Sequence, residues 1–126
     1  MTAASRSTQQ VLDHHLACLA AGDIDGIVAD YAPDAVLITP PGHFTADGIL
    51  RGPVGAEQGF RALLKELAQP GSAFQMDQVT VEGDYAYITW RAETPDNLYE
   101  FGSDTFVMRD GKIVAQTFAG KIVPKR

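Results

Sequence analysis

Two side chains disagree with their surroundings in the pattern, and both are of types that move protons. His15 occupies an inward position of a helical stripe, with Leu12, Leu16 and Leu19 as its neighbours. An imidazole titrates near neutrality, so a small environmental push makes it a donor or an acid/base group. A structural role, with the ring nitrogens bonded to a backbone carbonyl or water, fits the same position. Asp104 shares a strand face with Phe106 and Met108. A carboxylate on such a face must find a partner, stay protonated, or cost several kcal/mol; alternatively it lies near a wetter strand end and bonds a neighbouring hydroxyl.

Four further residues stand where they can line a site. Trp90 shares a face with Ile88 and Ala92, and a buried indole N–H wants an acceptor. Tyr31 ends a second helical stripe with its hydroxyl free to reach inward. Thr39 sits at the end of a short strand beside a loop that contains His43. His14 falls off its helical stripe and is expected in solvent, and Cys18 reads as a small core residue with nothing near it to lower its pKa. There is no glycine-rich phosphate loop, no serine in a nucleophile-elbow context and no ligand spacing for zinc or a facial triad. The expectation is a site with no metal and no cofactor.

The elements that must position these residues divide the chain in half. Leu12, His15, Leu16 and Leu19 follow helical spacing, as do Ile24, Ile27, Val28 and Tyr31, and again Phe60, Leu63, Leu64 and Leu67. Gly22 is placed to close the first helix and Asp23 to cap the second, with Pro33 limiting its run. Pro53 suits the first turn of the third helix, and Pro70-Gly71 ends it. Ala35 to Thr39 reads as a short strand, and Ile49-Leu50 as a brief one within a loop from Gly42 to Gly52. The second half changes period: 73–82, 85–94, 98–109 and 112–123 are rich in β-branched and aromatic residues, and short turns separate them. Links this short join antiparallel neighbours, giving a four-strand meander and an α+β fold with three N-terminal helices on a curved antiparallel sheet. Both strand faces are apolar, which predicts a homodimer through the outer face of the sheet.

At 126 residues the chain has room for one domain, residues 1–126, with an ordered core over about 8–122. Its net charge is −6, and its only basic cluster is the tail from Lys121 to Arg126, so neither nucleic acid nor an anionic membrane is an expected partner. One cysteine excludes an internal disulfide. The N-terminal decapeptide has no apolar run for a signal peptide and no stretch approaches spanning length, so a cytoplasmic location is expected.

The stretch Ala20-Ala21-Gly22-Asp23-Ile24-Asp25-Gly26-Ile27-Val28, with Tyr31-Ala32-Pro33-Asp34-Ala35 after it, resembles the helix-two signature of the ketosteroid isomerase and SnoaL-like polyketide cyclase group. The run from Gly102 to Val114 resembles the last hairpin of that group, which belongs to the wider nuclear-transport-factor-two-like superfamily. The resemblance implies a cystatin-like cone, the helices in the concave face of the sheet and a pocket at the open end. It puts His15 where the isomerases have a tyrosine donor, Asp104 where they have an aspartic acid donor, and Thr39 where they have the base, so their steroid isomerisation is not expected. Two mechanisms follow if His15 and Asp104 meet. An ionised Asp104 would hold the imidazole as a base; a protonated one would join His15 in donating to a carbonyl or enolate oxygen, and this second mechanism suits the cyclases. The family's inward positions favour a three-residue turn at Arg109-Asp110-Gly111, with Gln116 opposite Asp104 and Phe118 opposite Gly102.

These readings converge on a pocket for a small apolar molecule. The expected function is cofactor-free acid/base chemistry, of isomerase or cyclase type, on an apolar carbonyl compound. His15 and Asp104 carry it, and Tyr31, Thr39, Trp90, Gln116 and Phe118 line the pocket. The alternative is a non-catalytic ligand-binding or adaptor domain of the same fold.

Overall fold

Ser7 starts the first helix by a reciprocal cap: its hydroxyl accepts from the Gln10 N–H, and the Gln10 side chain accepts from the Ser7 N–H. The helix, α1 (Thr8–Ala21), ends at Gly22, whose left-handed backbone lets the next N–H return to the Cys18 carbonyl. Asp23 then caps α2 (Ile24–Val28) by accepting from the Gly26 N–H. The computed structural model describes residues 6–125; residues 1–5 of the stretch read for a signal peptide, and Arg126 of the basic tail, lie outside the described residues.

The second helix is shorter than its stripe suggests. Tyr31 does not end it but begins β1 (Tyr31–Ile38), and Pro33 falls inside that strand instead of stopping a helix. Sheet pairing decides this, because the Asp30 carbonyl accepts from the Ile113 N–H and Tyr31 lies beside Ile113. The register is irregular between Tyr31 and Val36, around the proline that has no N–H to give. A brief β2 (Ile49–Arg51) pairs antiparallel with β1, and α3 (Gly52–Leu67) follows with Pro53 in its first turn.

The second half is the expected meander: β3 (Ala73–Glu82), β4 (Tyr85–Glu93), β5 (Asn97–Arg109) and β6 (Lys112–Pro124). The six strands lie in the order β2-β1-β6-β5-β4-β3, antiparallel except where β1 runs parallel to β6. The helices pack on the concave face, over a core that includes Leu12, Ile27, Leu37, Phe60, Ile88, Phe106 and Ile113.

The last hairpin corrects the expected register. Asp110 and Gly111, both with positive φ, form a two-residue turn, with Arg109 opposite Lys112. A bulge then shifts the pairing between Val107 and Met108, so Phe106 faces Gln116 and Asp104 faces Phe118. The one-residue bulge exchanges the two faces of β6 beyond it. Gln116 and Phe118 therefore still point inward, two places from the partners expected for them.

Candidate active site

Asp104 sits in the middle of β5 between Ile88 of β4 and Phe118 of β6, and is 8 % exposed. Each carboxylate oxygen accepts one hydrogen bond: Oδ1 from Trp90 Nε1 at 2.8 Å and Oδ2 from Gln116 Nε2 at 2.8 Å. The Tyr31 hydroxyl donates to Gln116 Oε1, which fixes the amide with its nitrogen toward Asp104. Two donors and no acceptor hold the carboxylate in its ionised form. Burial opposes them and wins in part, raising the Asp104 pKa from 3.8 to about 6.

The indole can lie flat here because β5 carries glycine beside it. A Cβ on Gly102 would stand 2.5 Å from Trp90 Cε2. On its faces the indole is stacked by Phe118 at 5.6 Å and by Phe74 at 5.3 Å between ring centroids.

His15 is buried, with its ring edge-on to Tyr31, Phe60 and Phe106 at 5.3–5.8 Å. Its Nδ1 has no hydrogen-bond partner, and the nearest carboxylate oxygen paired with it is Asp30 Oδ2 at 3.9 Å. Burial lowers its pKa to about 4, against the attraction of Asp30, so the imidazole is neutral near pH 7. The expected His15–Asp104 pair does not form: among the described residues no hydrogen bond or ion pair joins them, and each faces other partners. They instead line one cavity of about 40 Å3, shared with Phe60, Leu63, Trp90 and Gln116. A second cavity of about 50 Å3 shares Asp104, Trp90 and Gln116 with it and is lined as well by Thr39, Phe44 and Phe118.

Trp90, Gln116, Thr39 and Phe118 thus line the chamber where the sequence puts them, whereas Tyr31 does not. Tyr31 stands behind Gln116 as the anchor of its amide, because it enters from β1 and not from a helix end. The Thr39 hydroxyl is committed to the Gly48 carbonyl at 3.1 Å.

Over residues 12–116 the sequence matches the SnoaL-like domain family. The chain belongs to the SnoaL-like family. No curated protein matches it. Solved structures share the fold at low identity. An NTF2-like protein of unknown function from Mesorhizobium loti is 23 % identical, with 96 % of each chain covered and a TM-score of 0.73. A candidate polyketide cyclase from Sinorhizobium meliloti is 20 % identical, with 86 % of this chain and 93 % of the other covered and a TM-score of 0.68. TerC, co-crystallised with polyporic acid, is 18 % identical, with 90 % and 91 % covered and a TM-score of 0.71. Such likenesses establish the NTF2-like architecture and leave the chemistry to the site.

In this SnoaL-like chain three parts of the site escape sequence reasoning. Asp30, fully buried, accepts from Arg6 at 2.9 Å and bonds His14 Nδ1 at 2.8 Å, so His14 is only half in solvent rather than free of the fold. Phe44 lines the outer cavity beside Phe118, with ring centroids 6.3 Å apart, from a loop with no periodic pattern to reveal it. Next to it His43 meets the Tyr99 hydroxyl at 3.3 Å, and that hydroxyl donates to Glu66 at 2.8 Å. Glu66 also accepts from Thr94 and Asn97, which ties the loop, α3 and the β4–β5 turn together. Cys18 is the core residue expected: burial first, and then Asp23 and Asp30, push its thiol upward in pKa. Among the described residues no cluster of His, Cys, Asp and Glu is arranged for a metal, and no helix is long and apolar enough to cross a membrane.

Proposed function

We propose that this protein performs cofactor-free acid/base chemistry on an apolar carbonyl compound, as an isomerase or cyclase, with Asp104 as the proton-transfer group. One observation carries the reading: a nearly desolvated carboxylate, oriented by Trp90 and Gln116 and shifted to about 6, borders an apolar chamber on two sides. A base is most effective when its pKa lies near the working pH. Near neutrality Asp104 is mainly ionised, so it acts by taking a proton from the carbon next to the carbonyl and returning it at the new position. This favours the base role over donation from a protonated Asp104. His15, neutral through burial, has one ring N–H to offer the developing enolate oxygen, and a neutral imidazole is a competent electrophile. Thr39, its hydroxyl spent on Gly48, supplies no second base.

The two cavities, of about 40 and 50 Å3, hold small groups as they stand. Solvent-deuterium exchange into enolisable ketones, followed by NMR, tests the proposal. Catalysed exchange is expected from the native protein, and a loss of at least a hundredfold from Asp104→Asn with the fold retained. Full activity in that variant refutes the role of Asp104. No exchange by the native protein with any ketone leaves binding without turnover as the function, a reading favoured by the commitment of Thr39 where a base would stand.

We further propose that the protein works as a homodimer through the convex sheet face. Val36, Ile38, Tyr85, Tyr87 and Val107 lie there, joined by Thr105, Thr117 and Ala115, with Arg51 and Glu82 at the rim beside Val36 and Tyr85. Tyr85 is 60 % and Ile38 52 % exposed, an apolar surface that association would cover. The proposal takes the cytoplasm as the protein's location.

A further inference from the structure

The concave face of the sheet extends beyond the helices that cover it. Phe74 and Met76 of β3 lie opposite Ala92 and Trp90, and so on the inward face, yet α1 ends at Ala21 and α3 at Leu67 without closing over them. The result is a groove of about 910 Å3 between the C-terminal ends of α1 and α3 and the edge strand, walled by leucines and alanines, with Lys65 its one charged lining residue. Leu16, Leu19 and Phe74 line both this groove and the inner cavity that reaches His15 and Asp104. Phe74 stacks on the indole that bonds the Asp104 carboxylate. The groove and the cavity beside Asp104 are therefore neighbours across a shared apolar wall.

We infer that the groove is the outer half of the ligand site and holds an extended alkyl tail, so that the substrate is a linear carbonyl compound with its head at Asp104. The inference rests on the proposed carbonyl chemistry of the chamber and adds the substrate class. The size of the inner cavity selects the shape. At about 40 Å3 it has room for a slender unbranched group and none for a fused ring system. The groove's apolar walls reward such a chain, while open solvent along one side leaves part of it wet.

Unbranched alkan-2-ones from butan-2-one to decan-2-one test this, with binding read by NMR titration and by Trp90 fluorescence. Each added methylene is expected to tighten binding about two- to fourfold until the groove is filled. Ala20 and Ala68 are exposed positions of opposite groove walls, so Ala20→Phe and Ala68→Phe fill the groove without disturbing the core or adding a second tryptophan. In these variants the gain with chain length should flatten, while butan-2-one binds as in the native protein. Length-independent binding in the native protein, or a length dependence unchanged in both variants, overturns the groove assignment and leaves the chamber reading standing. Failure of every ketone, short or long, to bind overturns both.

Discussion

Asp104 and His15 are buried within one cavity wall but are displaced in pKa in opposite directions, and this gives two opposed contributions to the pH dependence of stability. Burial raises Asp104 from 3.8 to about 6, so the folded state holds its proton more tightly than the unfolded chain does. The folded state therefore loses stability as the pH rises from about 4 to 6, by about 3 kcal/mol over a gap of about two pH units. Burial lowers His15 from 6.5 to about 4, so here the unfolded chain holds the proton more tightly. That contribution is complete above pH 6.5 and is lost as the pH falls toward 4, again by about 3 kcal/mol. The two nearly cancel in the native protein, and only single variants expose them. Relative to the native protein, Asp104→Asn should gain about 3 kcal/mol between pH 3.5 and 7, and His15→Leu should lose about as much of its relative stability over the same range. Urea unfolding followed by the fluorescence of Trp90, the one tryptophan, measures both at half-unit pH intervals. Any constant cost of rearranging the Trp90 and Gln116 hydrogen bonds drops out of the comparison. A stability difference for Asp104→Asn that stays flat from pH 3.5 to 7 would refute the claim that this carboxylate is penalised by burial. With it would go the argument for a base tuned toward neutrality.

Gly102→Ala should cost about 1–3 kcal/mol by overpacking, because its Cβ would meet the indole of Trp90 at 2.5–2.9 Å. The same denaturant series checks it, and an unchanged midpoint would mean that the indole does not rest on that backbone. The dimer is tested by sedimentation equilibrium at micromolar concentration, where the native protein should be dimeric and Tyr87→Lys, a charge set among the apolar residues of the convex face, monomeric. A monomeric native protein would remove the proposed interface.

Periodicity and local backbone chemistry made much of the fold legible in the residues alone. The end of α1 follows from the Gly22 cap, and the four long strands from β-branched and aromatic runs between short turns of glycine, proline, aspartate and asparagine. The placement of His15 and Asp104 on inward faces is legible for the same reason, since a polar residue in an apolar stripe is visible in one dimension. Partners are not. Whether Asp104 meets His15 or the Trp90 indole depends on side-chain reach across three strands, and the answer turned on Gly102 leaving room for the indole and on Tyr31 orienting Gln116. Tyr31 itself fits a helical stripe, and only the pairing of its segment with β6 made it a strand residue. The bulge near Val107 likewise restored an inward face that the two-residue turn alone would have reversed. Asp30, joined to Arg6 and His14 from distant parts of the chain, had no local pattern to announce it. These contacts link residues far apart in sequence, so their energies exist only once the cone has closed.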